Sequence, residues 1–217
     1  MGLVDADRAA VAELLAALTY GERLAVERVG ESVGFAPDPA VQKEQRHVAE
    51  RERERLALLE ARLDELDGAR LEERFAPFFD AFFESTVPTD WIEAQTFYYV
   101  GDALVSDLAE AVLPSLDPVT TEVVRRALGE RDEQDAFALD QVTAGLREAP
   151  GATERIAAYA RRVVGEALTQ TRRALDASEK VSSLLGDPEE QKRILLDLLD
   201  RHRRRLDRLG IEPVEPD

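Results

Sequence analysis

Three Asp-Pro pairs punctuate the sequence, at Asp38-Pro39, Asp117-Pro118 and Asp187-Pro188. An aspartate side chain accepts hydrogen bonds from the free N–H groups at the start of a helix, and proline suits the first helical position because no N–H is needed there. An apolar-periodic segment follows each pair, so each pair predicts a helix start. With further starts at Thr89-Asp90 and after Pro150, the predicted helices are 5–33, 39–66, 90–113, 118–147, 153–184 and 188–209.

The spacing of these helices predicts the fold. No window alternates apolar and polar residues as a strand would, and Ala, Leu, Arg, Glu and Asp dominate the chain. Four long helices with one long connection, 67–89, in the middle are typical of a ferritin-like four-helix bundle, in which that crossover makes helices two and three parallel. We therefore predict one all-α ferritin-like domain over 1–217. Its core bundle covers about 5–147, and two additional C-terminal helices in 153–209 lie outside it or at a homodimer contact.

Composition excludes several classes of protein. The 217 residues include no cysteine, which rules out disulfides, thiolate catalysis and cysteine-ligated iron–sulfur clusters. Lys and Arg total 28 against 45 Asp and Glu, and the net charge of −17 disfavours nucleic acid as a partner. The N-terminus lacks a basic and apolar leader, and no apolar run approaches the roughly 18 residues of a membrane span. We expect a soluble, cytoplasmic protein with no membrane partner.

Glu22 occupies a core position in the first predicted helix. An unpaired buried carboxylate costs several kcal/mol, so Glu22 must be neutral, paired or bound to a cation unless its side chain reaches solvent. The apolar seam that contains it recurs at helical spacing and consists of Val11, Leu15, Leu18, Glu22, Ala25 and Val29.

The second predicted helix contains Glu44-x-x-His47. At 100° per residue, Glu44 lies about 40° from the direction of Val48, and His47 lies about 100° from it on the same side. Glu44 is therefore expected to face inward and His47 to reach around the edge of the helix. Taken alone, this short motif arises easily by chance in a Glu-rich helix.

The third predicted helix places Glu93 in its apolar stripe, although Asp90-x-x-Glu93 also suits a capping box. Inward carboxylates and an imidazole on facing helices are the ligands that bind two iron ions in carboxylate bundles. The candidate metal ligands are therefore Glu22, Glu44, His47 and Glu93.

The fourth predicted helix does not supply a second Glu-x-x-His pair, because the sequence has no histidine between 48 and 201. The polar residues near its apolar stripe are Arg131, Asp135 and, farther round, Gln134. Arg131 aimed at the carboxylates would substitute for the charge of a metal. Alternatively, Arg131 turns to solvent and Asp135 or Glu133 supplies an additional ligand.

The order of several segments resembles a known family. They are L-T-Y-G-E-R-L-A at 18–25, F-A-P-D and E-Q-R-H within 35–47, D-W-I-E and Y-V-G-D within 90–102, R-R-V-V-G-E-A-L-T-Q at 161–170 and H-R-R-R-L-D-R-L-G at 202–210. Together they resemble the tRNA-(2-methylthio-N6-isopentenyladenosine)-hydroxylase-like branch of the ferritin-like di-iron carboxylate superfamily. The resemblance implies one or two iron ions, a tRNA substrate, and Glu22, Glu44, His47 and Glu93 at the ligand positions of the first half of the bundle.

The resemblance also exposes a departure in the fourth helix. The family carries an acidic residue and a histidine shortly before a Phe-Ala pair, and alignment on Phe137-Ala138 puts Arg131 and Gln134 at those positions. Two functions follow as hypotheses. The chain is either an iron-dependent oxygenase or oxidoreductase, or a non-catalytic ferritin-like binding or assembly protein whose carboxylates are neutralised by Arg131.

Overall fold

The computed structural model describes residues 7–129 and 131–211, and this part of the chain is helical without a strand. Its α-helices are α1 Arg8–Ser32, α2 Pro39–Glu65, α3 Glu72–Ser85, α4 Trp91–Phe97, α5 Ala103–Val112, α6 Pro118–Val124, α7 Asp132–Glu148, α8 Thr153–Asp176, α9 Glu179–Leu184 and α10 Pro188–Arg208. A π-helical segment, Tyr98–Asp102, joins α4 to α5, and a second, Arg125–Gly129, follows α6.

The Asp-Pro pairs start helices as predicted. Asp38 accepts hydrogen bonds from the backbone N atoms of Ala40 at 2.7 Å and Val41 at 3.0 Å. Asp117 caps α6 in the same way, and Asp187 forms a capping box with Glu190 at the start of α10. These local contacts depend on neighbouring residues alone, which is why the sequence pattern predicts them.

Helix packing confirms the all-α bundle. α1 packs against α2 and α3, α4 packs against α7 and α8, and α5 packs against α10. The aromatic-rich part of the long connection forms α3, which lies between α1 and α8. The C-terminal helices therefore cover the bundle instead of extending from it. In the part of the chain that the structure describes, no helix is long and apolar enough to cross a membrane.

Two predicted helices are interrupted in the structure. The third carries the π-helical segment Tyr98–Asp102, where a Cβ atom on Gly101 would lie 3.1 Å from Val163 of α8. The fourth changes to a π-helix at Arg125–Gly129, and α7 begins only after Arg131. A π-helical turn holds more residues than an α-helical turn, so side chains beyond it no longer follow the 100° rule used on the sequence.

The fifth predicted helix is also divided, at Ser178. The Ser178 hydroxyl accepts a hydrogen bond from the Val181 backbone N at 3.1 Å, which caps α9, and donates one to Glu13 Oε2 at 2.6 Å. Glu13 is buried and also pairs with Arg74 and Lys180. A long-range contact with α1 thus fixes the position of this break.

His202 should make the protein less stable in acid. It is buried on the inner face of α10, its Nδ1 has no hydrogen-bond partner among the described residues, and burial together with Arg205 lowers its pKa to about 4 from an ordinary 6.5. Between these two pH values the unfolded chain binds a proton that the folded protein excludes, so stability falls as the pH falls. In His202→Leu we expect this loss, at most about 1.4 kcal/mol per pH unit, to disappear.

Urea unfolding of both proteins at pH 4 to 7 measures the effect. The free energy of unfolding of the variant should increase relative to that of the wild type as the pH drops below about 6.5. A constant difference across this range would contradict the assigned state of His202.

Candidate functional site

A cluster of buried charged side chains lies among the central helices. Its members are Glu22 on α1, Glu52 on α2, Asp102 at the end of the first π-helical segment, and Arg131 directly before α7. We call these four residues the charge cluster. Arg131 Nη2 lies 2.9 Å from Asp102 Oδ2 and 3.2 Å from Glu52 Oε1, so one guanidinium binds two carboxylates from different helices.

The π-helical segments position Asp102 and Arg131. Asp102 closes one π-helical segment, and Arg131 follows the other after a single intervening residue. The backbone of Arg131 has φ −115° and ψ 3°, outside the helical region, which separates α7 from the preceding helix. π-helical insertions of this kind are frequent at functional sites because they re-aim side chains within an otherwise regular helix.

Gln134 and Arg55 complete the surroundings of Glu52. Glu52 Oε1 accepts a hydrogen bond from Gln134 Nε2 and another from Arg55 Nη1, the second at 3.3 Å, and Arg55 also donates to the Gln134 side chain. Glu52-x-x-Arg55 therefore has the i, i+3 spacing of a Glu-x-x-His pair, with a guanidinium where an imidazole would stand. Two arginines and one glutamine surround this carboxylate.

Glu22 and Glu52 differ in protonation. Burial raises the pKa of Glu22 well above its usual value, and the nearby Glu52 carboxylate raises it further. Burial also disfavours ionisation of Glu52, but the charge of Arg131 and the hydrogen bond from Glu22 outweigh it and lower its pKa. Glu22 thus keeps its proton more readily than Glu52, and in its protonated form it donates a hydrogen bond to the Glu52 carboxylate.

Asp102 titrates near neutrality. Burial raises its pKa to about 7 from an ordinary 3.8, and the charge of Arg131 limits that rise. Burial alone would lower the pKa of Arg131, but Glu52 and Asp102 raise it, so its guanidinium stays charged. The cluster therefore holds one firmly ionised pair, Arg131 and Glu52, together with two acids that retain protons more readily than exposed ones.

The structure places Glu44 and His47 away from the charge cluster. Glu44, which was expected to face inward, is exposed, and His47, which was expected to reach around the helix edge, has 57% of its side-chain surface accessible. The buried face of α2 consists of Gln45, Val48, Ala49, Glu52, Leu56, Leu59 and Leu63. Its centre lies roughly 90° from Glu44 at 100° per residue, because the buried polar residues widen the face on the far side of Val48.

Glu93 is buried, as predicted, but serves another role. Its Oε2 accepts hydrogen bonds from the Thr89 backbone N and hydroxyl at 2.8 Å, and its Oε1 binds Arg155 Nη1 at 2.6 Å. The Asp90 side chain caps the same turn by accepting from the Glu93 backbone N at 2.9 Å. Asp90 thus caps α4, while the buried Glu93 side chain bonds to Thr89 and Arg155 and does not complete a capping box with Asp90.

Of the fourth-helix residues, Arg131 and Gln134 are buried, whereas Asp135 is half-buried and Glu133 is exposed. Arg131 does bind two carboxylates, but its partners are Glu52 and Asp102 and not Glu44 or Glu93. Burial raises the pKa of Asp135, and Arg131 counteracts this rise. Asp135 therefore lies within the electrostatic reach of the cluster.

Sequence reasoning missed Glu52 and Asp102. Glu52 is hidden in the run R-E-R-E-R at 51–55, which suggests a solvated face. Its spacing of four to Leu56 and seven to Leu59 could have identified it. Asp102 could not be found in this way, because the π-helical turn before it changes the direction in which its side chain projects.

The residues present do not fit a di-iron centre. Among residues 7–129 and 131–211, no group of three or more His, Cys, Asp or Glu side chains is arranged to hold a metal ion. The charge cluster contains no imidazole, and the Arg131 guanidinium lies between the carboxylates of Glu52 and Asp102. A guanidinium has no lone pair to donate and repels a cation.

Loss of the Arg131 charge should strongly destabilise the protein. Arg131→Met leaves Glu52 and Asp102 buried without their shared cation, a change that costs about 3 to 5 kcal/mol in comparable cases. The double variant Arg131→Met, Asp102→Asn should recover much of this loss, since Glu52 then still has Arg55 as its charged partner. Denaturant unfolding measures both, and a loss below about 1 kcal/mol in Arg131→Met would contradict the ion-pair assignment.

Asp102 should make stability fall as the pH rises from about 4 to 7. In this window the folded protein keeps the Asp102 proton that the unfolded chain releases, because the pKa of about 7 exceeds the ordinary 3.8. We expect the free energy of unfolding of the wild type to drop relative to that of Asp102→Asn by up to about 1.4 kcal/mol per pH unit, and to level off above pH 7. A difference that stays constant from pH 4 to 8 would refute this state of Asp102.

Comparison with known proteins identifies the family. No curated protein matches the sequence. The model of one family, described as a ferritin-like domain of actinomycetes, matches residues 5–188, which is most of the chain and includes all four members of the charge cluster. This agrees with the all-helical architecture. The chain belongs to this ferritin-like domain family.

Proposed function

We propose that this protein is a non-catalytic ferritin-like binding or assembly protein whose central carboxylates are neutralised by Arg131 in place of a metal. The single observation that carries the proposal is the position of the buried Arg131 guanidinium, 3.2 Å from Glu52 and 2.9 Å from Asp102. Arg131 therefore supplies the positive charge at the place where facing helices bring the carboxylates of Glu52 and Asp102 together.

The charge balance supports this proposal. Iron ions need several ionised carboxylates to compensate their charge, and imidazoles complete their coordination. Here the Arg131 charge is matched by Glu52, and burial beside Glu52 disfavours the charged form of Glu22. Asp102 supplies the remaining, partly protonated acid. The cluster is thus compensated without any further cation.

A chain of buried amides beside the cluster supports the same interpretation. Gln95 Nε2 donates to Gln45 Oε1 at 3.2 Å, and Gln45 Nε2 donates to the Ser32 hydroxyl at 2.9 Å. The Ser32 hydroxyl in turn donates to the Val29 carbonyl at 2.8 Å. Neutral groups that satisfy one another occupy this part of the interior, and such networks fix helix register instead of binding cations.

The second candidate is an iron-dependent oxygenase or oxidoreductase of the tRNA-hydroxylase-like branch. It is favoured by the burial of Glu22 and Glu93, two of its four predicted ligands. In this function one or two iron ions would supply the oxygen chemistry, with Asp135 as an additional ligand and tRNA as the substrate. Exposed Glu44 and His47 would then have to turn inward by roughly a quarter turn of α2 or more.

Anaerobic loading with Fe(II) distinguishes the two candidates. After removal of loosely held metal, we expect less than about 0.1 Fe per chain in the wild type, because Arg131 and Arg55 repel a cation from the carboxylates. Iron per chain is measured by atomic emission on protein with confirmed helical content. Two Fe per chain that disappear in Glu44→Ala would establish the second candidate and overturn the first.

A designed gain of binding provides the control. The variant Arg55→His, Arg131→Glu, Gln134→His places the ligand types of carboxylate bundles at the residues that face Glu52. We expect this variant to retain Fe(II) where the wild type does not. Its matched control, Arg46→His, Arg161→His, Arg203→Glu, adds the same residue types at exposed positions of three different helices and should retain none.

A further inference from the structure

A cavity of about 70 Å³ adjoins the charge cluster between α1, α3, α5 and α8. Glu22, Asp102 and Arg131 form part of its lining. The apolar part of its wall is contributed by Leu18, Phe79, Phe82, Phe83, Val105 and Leu128. The cavity therefore has a polar side next to an aromatic and aliphatic wall, the arrangement common to small-molecule sites.

Small residues on the facing helices shape this space. Ala25 of α1 and Ala167 of α8 line it without filling it. Gly21 lets the ring of Phe79 pack directly against α1, since a Cβ atom at that position would collide with the ring. The rings thus form a fixed wall while the alanines leave the interior of the cavity open.

Three residues of the lining carry buried polar atoms that lack hydrogen-bond partners among the described residues. They are Glu22 Oε1, Ser106 Oγ and Arg131 Nε. Buried polar atoms are almost always hydrogen-bonded, because leaving one without a partner destabilises the folded protein. Three such atoms on residues that share one cavity indicate that a bound molecule supplies the missing partners.

We propose that this cavity binds a small neutral amphiphile, an alcohol or primary amide of about five to seven non-hydrogen atoms. Its polar head would hydrogen-bond to Glu22, Ser106 and Arg131, and its apolar tail would lie against Phe79 and Val105. This inference rests on the proposed binding function and names the ligand class for it.

The dimensions and charges of the cavity select this class. A water molecule needs about 10 to 15 Å³ of such space, so 70 Å³ corresponds to roughly five to seven water-sized groups. A carboxylate ligand would be repelled by Glu52 and Asp102, and an ammonium ligand by Arg131. A neutral head avoids both penalties and the cost of burying a net charge.

The test is titration of the whole protein with 1-pentanol, followed by calorimetry and by thermal unfolding. We expect saturable binding and a rise in Tm, with pentanoate and pentylammonium binding at least tenfold more weakly. NMR shifts of the Gly21 and Gly101 amides should respond to 1-pentanol, because both residues line the cavity.

Three variants distinguish binding in this cavity from non-specific effects of alcohol. Ala167→Leu fills the cavity and should abolish binding, whereas Thr169→Leu, on the exposed face of the same helix, should leave it unchanged. Ser106→Ala removes one hydrogen-bonding group with little change in volume and should weaken binding about two- to tenfold. It provides a second measurement if Ala167→Leu does not fold.

The outcomes distinguish this inference from the proposed function. Absence of a Tm rise and of NMR shifts, or equal binding by wild type and Ala167→Leu, would overturn the ligand proposal and leave ordered water as the occupant. If Fe(II) is retained in the wild type, the non-catalytic function fails whatever 1-pentanol does. If neither iron nor 1-pentanol binds, only the ligand proposal fails.

Discussion

The bundle depends on a cation that the chain itself supplies. Arg131 approaches Glu52 from α2 and Asp102 from the first π-helical segment, so one side chain connects the second, third and fourth long helical regions. Burying these charges is tolerable because Arg131 pairs with both carboxylates, and because burial beside Glu52 favours the protonated form of Glu22. The arrangement of these helices and the distribution of protons in the cluster therefore follow from the same contacts.

The two π-helical segments explain how such a cluster arises in a regular bundle. Each inserts extra residues into a turn, one directly before α5 and one shortly before α7. Asp102 and Arg131 occupy the positions at which the helices resume or break, and their side chains reach the interior from there. A neighbouring cavity, lined by residues with unsatisfied polar atoms, supports the proposed binding function.

The sequence predicted those parts of the structure that depend on local chemistry. Asp38 and its counterparts start helices because their side chains reach N–H groups two or three residues away. The seam of α1 predicted the burial of Glu22, since α1 is regular throughout its length. The same reasoning failed on α2, because the buried face includes Gln45 and Glu52, and a stripe drawn through apolar residues alone is displaced from its true centre.

By itself, then, the sequence determined the helical class, the helix starts, the ferritin-like order of segments, and the absence of histidine where a second ligand pair would lie. Only the tertiary structure decided which polar residues meet. The rotation of the helices and the π-helical turns bring Glu52 and Asp102 to Arg131. Glu93 binds Arg155 of α8. These choices depend on contacts between distant segments, since the energy of a buried charge is set by the residue that faces it and not by its neighbours along the chain.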